Sequence, residues 1–133
     1  MVLVDTSVLI SYLQGNENNA VLKFQYIIDN NIPFGINSLI YQEVLQGVKT
    51  EKDFDKTKRY LDTQRFYSLK YEKESYASAA KIYFRCRKKG LTIGSTIDCL
   101  IAQTAIENDL LLLHNDSDFD NIAKIADLKI FNL

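Results

Sequence analysis

Leu110 to Leu113 is an unbroken run of four leucines. A strand with one wet face alternates apolar and polar residues, so a short, fully apolar run describes a strand covered on both faces. Such strands belong to parallel sheets packed between helices. The chain opens in the same way, with Val2-Leu3-Val4 closed by Asp5. Thr6-Ser7 then leads into Val8, Leu9, Tyr12 and Leu13, spaced as on one helical face.

Further elements follow the same alternation. Val21, Leu22, Phe24, Ile27 and Ile28 predict a helix that stops near Asn30-Asn31, ahead of Pro33. Phe34-Gly35-Ile36 reads as a short strand, and Asn37 or Ser38 caps a helix carrying Leu39, Ile40, Val44 and Leu45. Lys49 to Gln64 is a solvated helix or helix pair, and Arg65 to Tyr71 contains a short edge strand. Glu72 to Lys89 is a long helix ended by Gly90. Ser95 or Thr96 starts another, Asn121 to Ala126 is helical, and Lys129-Ile130-Phe131 is a closing strand. With no repeat, linker or low-complexity tract, residues 1–133 are expected to form one α/β domain: a three-layer α/β/α arrangement around a mostly parallel sheet.

Composition narrows the function classes. Two cysteines, Cys86 and Cys99, both on helical segments, are too few for a disulfide scaffold and read as buried thiols. No segment has the form of a signal peptide or a membrane span, so a reducing cytoplasm is the expected home and no membrane the expected partner. The formal net charge of −1 argues against a nucleic-acid partner only if the charges are evenly spread. They are not. Lys49 to Lys89 holds 13 of the 16 basic residues and six of the 17 acids, a balance of +7 against −8 elsewhere. Arg85, Arg87, Lys88 and Lys89 are its densest patch and the candidate contacts to nucleic-acid phosphates, the alternative being a solvated helix face.

Ligands of open parallel sheets gather beyond the carboxyl ends of the strands. Asp5 ends the first strand and Asp116 follows the leucine strand, while Glu43 and Asp98 lie in early turns of helices. Each has a structural alternative as a cap, a helix-dipole partner, a surface acid or a turn former. Four carboxylates at one rim repel one another unless a cation sits among them. Mg²⁺ or Mn²⁺ suits such oxygen donors, and one histidine with two helix-borne cysteines gives a zinc site little support.

Three blocks of the sequence resemble the PIN-domain ribonucleases. They are Val4-Asp5-Thr6-Ser7-Val8-Leu9-Ile10, the segment Ser38 to Gly47 around Glu43, and Asp98 to Ala105 followed by Leu111 to Phe119. The chain's compact length resembles, within that family, the VapC-type toxins of VapBC toxin–antitoxin pairs. The resemblance implies a PIN-like fold and an endoribonuclease dependent on Mg²⁺ or Mn²⁺, with Asp5, Glu43, Asp98 and Asp116 as catalytic, metal-binding acids. Asp118 is a further candidate ligand, although the acid before Phe119 has a structural alternative. Thr6 or Ser7 would orient the first acid and its waters. His114 stands where relatives carry Thr or Ser; it would bond a neighbouring acid, approach the scissile phosphate or point elsewhere, and support of the acids from behind is the preferred reading. RNA as substrate, a VapB-type antitoxin and a homodimer follow from the same resemblance, with Tyr12, Leu13 and the helix from Asn19 as candidate protein contacts. The competing readings are a PIN nuclease of RNA processing and a non-catalytic PIN-like binding module. A receiver-like phosphoacceptor is disfavoured because Asp5 stands alone and Leu113 leads to His114-Asn115 where a Lys is wanted, and the Asp-x-Asp of phosphotransferases is absent because residue 7 is Ser.

Overall fold

The computed structural model describes residues 1–133. Its first half runs β1 (Val2–Val4), α1 (Thr6–Leu13), α2 (Asn19–Asp29), β2 (Phe34–Ile36), α3 (Ser38–Gln46), α4 (Glu51–Asp62) and β3 (Arg65–Phe66). The second half runs α5 (Lys73–Lys88), α6 (Thr96–Glu107), β4 (Leu111–Leu113), α7 (Ser117–Ala123) and β5 (Lys129–Ile130). The strands form one sheet in the order β3-β2-β1-β4-β5. Every pairing is parallel, with Leu3 opposite both Gly35 and Leu112.

That order has one reversal. From β1 the chain steps outward to β2 and β3, then returns past β1 to β4 and β5. Right-handed crossovers put the helices of the outward path on one face and those of the return on the other. Packing follows this division: α1 touches α2 and α3, and α3 touches α4, whereas α5, α6 and α7 pack among themselves. The crevice between the carboxyl ends of β1 and β4 is therefore the topological switch point, where open parallel sheets bind ligands.

The strands are buried as their composition requires. Val2, Leu3, Val4, Leu112 and Leu113 are essentially inaccessible, with Leu9, Phe24, Ile27 and Ile40 packed from the outward-path helices and Ile101, Phe119 and Ile122 from those of the return. Cys86 and Cys99 are free, buried thiols. Gly35 sits where β2 meets β3; a Cβ there would overlap the Arg65 carbonyl and come within 2.8 Å of the Tyr67 ring. No helix is long and apolar enough to cross a membrane.

Local chemistry sets the helix starts. Asp5, Asn18, Asn37, Thr50, Ser95 and Asp116 each accept a backbone amide at an N-cap, and only α5 starts without a side-chain cap. Of the alternatives for Lys49 to Gln64, the single helix holds, as α4 over Glu51–Asp62. Two expectations are corrected. The helix expected over Asn121–Ala126 begins earlier, at Ser117, because Asp116 caps it. Leu110 belongs to the turn before β4, where Asp109 takes a positive φ of 52°.

Candidate metal centre

Both strands that border the switch point end in a carboxylate. Asp5 follows β1 directly and is 4 % exposed. Its Oδ2 accepts the Ser7 hydroxyl at 2.7 Å and the Ser7 amide at 3.2 Å. The Ser7 hydroxyl in turn accepts the Asn115 amide at 3.2 Å, which ties the turn after β4 to the turn after β1. Thr6 serves a different acid from the expected one: its hydroxyl donates to Glu43 Oε1 at 2.8 Å. Asp5 and Glu43 thus each have one oxygen anchored by a hydroxyl, and the second oxygen of each accepts no side-chain or amide hydrogen bond within normal geometry.

Across the crevice, Asp98, Asp116 and Asp118 bring ligand oxygens within 4.8 Å of one another. Asp116 Oδ1 accepts the Asp118 amide at 2.9 Å as the cap of α7. Asp118 Oδ2 accepts the Gly94 amide at 2.8 Å, fastening the loop before α6 to α7. Asp98 stands in the first turn of α6, itself capped by Ser95. Cap and acid are not exclusive roles, because a cap occupies a single carboxylate oxygen.

The two sides are braced through the core. Asn37, the cap of α3, donates to Thr104 of α6 at 3.1 Å, and both residues are buried. This link fixes the helix of Glu43 against the helix of Asp98. Asn37 was legible only as a cap; nothing in its sequence neighbourhood indicates a partner 67 positions away.

Electrostatics make the crevice strongly anionic. Burial pushes the Asp5 carboxyl above its ordinary range, opposed by the Ser7 bonds and reinforced by Glu43. Asp98 is pushed up to about 8, first by burial, then by its hydrogen bond to Asp118 and the charges of Asp5, Asp116 and Asp118. No Lys or Arg lies within ion-pairing distance of any of the five acids. The upward push on Asp98 favours its neutral form, which relieves part of the repulsion.

The donor set fits a hard divalent cation. Oxygens bound to one Mg²⁺ at about 2.1 Å stand at most ~4.2 Å apart, so the trio needs only a small closure to share one. Histidine takes no direct part. His114 Nδ1 accepts the Asp116 amide at 3.1 Å, its Nε2 faces Asp120 Oδ1 at 3.4 Å, and its ring lies against Phe119. Its side chain is 8 % exposed and holds the backbone of Asp116. Asp120, its partner, carried no sequence signal beyond an acid in a polar turn.

The basic patch divides. Arg85, Lys88 and Lys89 share one face at the end of α5 and wall an open hollow with Lys124 and Ile125. Arg87 lies on the adjoining face, over the Tyr83 ring at 5.7 Å. On the other side of the molecule, Ile10, Leu13, Val44, Val48 and Tyr60 line a groove of about 650 Å³ between α1, α3 and α4.

The parallel sheet sets its acids at the switch point, and the PIN-domain family model matches residues 2–125. The chain belongs to the PIN-domain family. Among individual proteins, it is 29% identical over 131 residues to Ribonuclease VapC11 of Mycobacterium tuberculosis and to VapC ribonuclease Mb1587 of Mycobacterium bovis, covering 97% of this chain and 96% of each relative. Its fold is that of VapBC2 from Rickettsia felis bound to a promoter DNA fragment, with a TM-score of 0.74 at 20% identity over 100% of this chain and 99% of that one. VapBC-1 from nontypeable Haemophilus influenzae gives 0.73 at 20% identity, over 99% and 98% of the two chains.

Proposed function

We propose that this chain is a metal-dependent endoribonuclease that hydrolyses RNA phosphodiester bonds, and that it is the toxin of a type II toxin–antitoxin pair. One observation carries the chemistry: three carboxylates within 4.8 Å, flanked by Asp5 and Glu43, with no cationic side chain to neutralise them. The biological role is supported by the relatives named VapC ribonucleases and by the fold shared with VapBC complexes.

Asp5, Glu43, Asp98 and Asp116 would hold Mg²⁺ or Mn²⁺, with Asp118 as a fifth donor. The bound cation would supply a water of lowered pKa and neutralise charge developing on the phosphate and the leaving oxygen. The chain's own residues prepare that arrangement. Ser7 and Thr6 orient Asp5 and Glu43 while leaving each one oxygen to offer. His114 fixes the backbone of Asp116, and the Gly94 amide holds Asp118. Asp98, whose carboxyl is pushed up, would offer its oxygens to the cation as the ionised form. Without a cation the crevice repels phosphate, so the metal-free protein is expected to be inert.

Arg85, Arg87, Lys88 and Lys89 would draw RNA phosphates to the carboxyl end of α5. The groove containing Leu13, beside Tyr12 and the helix from Asn19, is the proposed seat of a VapB-type antitoxin. A homodimer and a cytoplasmic location complete the reading.

Incubation of the purified chain with mixed RNA is the test. Cleavage is expected with Mg²⁺ or Mn²⁺ and not with EDTA, and Asp5→Asn is expected to abolish it while leaving the fold intact. Full cleavage by Asp5→Asn in Mg²⁺, or undiminished cleavage in EDTA, contradicts the assignment. Co-expression with the neighbouring reading frame, scored as rescue of growth, tests the toxin role.

A further inference from the structure

The ends of α5 and α7 meet in an open hollow of about 540 Å³ whose lining is almost wholly cationic: Arg85, Lys88, Lys89 and Lys124, with Ile125 as the one apolar residue. All four cations are solvent-exposed, and none lies within ion-pairing distance of an acid. A helix C-terminus favours a basic residue nearby, which accounts for a cation at either helix end by itself. It does not call for two helices to aim theirs into one hollow, where like charges repel. An anion relieves that repulsion.

Two hydrogen bonds connect the hollow to the acids. Asn121 of α7 donates to the Thr92 carbonyl at 3.2 Å, and its Oδ1 accepts Lys124 Nζ at 3.4 Å. Two residues further along the same loop, the Gly94 amide is held by Asp118. One loop therefore fastens both the cationic hollow and the acidic crevice to α7. Asp118 and Lys124 stand six positions apart on that helix, about 9 Å of axial rise.

We propose that this hollow is a phosphate-binding subsite for single-stranded RNA, gripping the backbone beyond the acidic crevice, with Lys124 as its α7 contribution. The inference rests on the nuclease reading above and adds a residue far in sequence from the basic stretch. It also sets Arg87 apart, because that side chain faces the neighbouring hollow lined by Tyr83 and Leu91. Four positive charges among five lining residues favour a polyanion over an amphipathic protein segment.

The test measures binding without cleavage. A short fluorescein-labelled single-stranded RNA of mixed sequence is titrated in EDTA, between about 50 and 200 mM salt, and read by anisotropy. Lys124→Ala is expected to weaken binding roughly three- to tenfold and to lower the log–log salt slope by ~0.7. Lys88→Ala with Lys89→Ala is expected to lower it further, whereas Lys23→Ala with Lys52→Ala, an equal loss of charge elsewhere, leaves it unchanged. An unchanged slope in Lys124→Ala and in the charge-reversed Lys124→Glu overturns the proposal and leaves a solvated helix end. Loss of affinity for poly-glutamate but not for RNA also overturns it, in favour of an acidic protein partner. A wild-type chain that binds no RNA does the same. Since EDTA silences cleavage, failure of the nuclease reading shows only in the Mg²⁺ assay and is distinct from failure here.

Discussion

The two sides of the crevice hold their carboxylates by different means. Asp5 and Glu43, on the side of α1 and α3, each rest on a hydroxyl, from Ser7 and Thr6 respectively. Asp116 and Asp118, on the side of α6 and α7, accept backbone amides, and the Asp98 carboxyl is pushed up to about 8 by burial and by its acidic neighbours. A hydroxyl stabilises a carboxylate while it is ionised. A crowded trio is at ease only with a proton or a cation among its members. The first side is thus built for position and the second for charge. The chemistry proposed above needs both.

Substitutions separate those contributions, starting with the largest. Asp98→Asn is expected to lower Mg²⁺-dependent cleavage by at least ~10²–10³-fold, the scale on which aligned electrostatic groups matter. The same change is expected to raise the melting temperature of the metal-free protein, since it removes the acid with most repulsion to lose. Asp5→Asn should match it in lost cleavage but gain less stability, because it also spoils the Ser7 bonds. Equal gains in the two variants would erase the distinction between the sides.

Acidity probes the same difference. Folding raises the Asp98 pKa to about 8, so between the ordinary aspartate range near 4 and that value the native state holds a proton the unfolded chain has lost. The stability of the metal-free protein is therefore expected to fall as pH rises through that window and to level off above it. Thermal melts in EDTA at pH 5 and pH 8 measure this. Mg²⁺ at pH 8 should restore the lost stability, and Asp98→Asn should flatten the profile.

The positional side predicts smaller effects. Thr6→Ala and Ser7→Ala are each expected to lower cleavage about tenfold, roughly one hydrogen bond to a charged group, with Thr6→Ser close to wild type. The smallest effect on activity is expected from Thr104→Val, which leaves buried Asn37 without its partner across the crevice. It should cost about 1–2 kcal/mol in a denaturant melt and only a few-fold in rate.

Much of this was legible in the sequence because the governing signals are local. Fully apolar runs announce buried parallel strands, and an acid at the end of such a run stands at a rim the topology makes into a crevice. What escaped was long-range pairing. Thr6 and Glu43 are 37 positions apart, and adjacency in sequence assigned Thr6 to Asp5 instead. The start of α7 was hidden because Asn-Asp-Ser-Asp suits a turn as well as a capped helix. The patch Arg85 to Lys89 looked continuous along the chain, yet helical geometry turns Arg87 onto a different face from Arg85, Lys88 and Lys89. The roles of all five acids likewise rest on spatial company that no single segment displays.

Calorimetric titration of the metal-free protein with Mn²⁺ at pH 7, repeated in buffers of different ionisation enthalpy, tests the central claim most directly. If the crevice trades the Asp98 proton for a cation, binding releases close to one proton per Mn²⁺, and both the binding and the release disappear in Asp98→Asn. Binding without proton release, or binding unaffected by that substitution, would place the cation elsewhere and contradict the account.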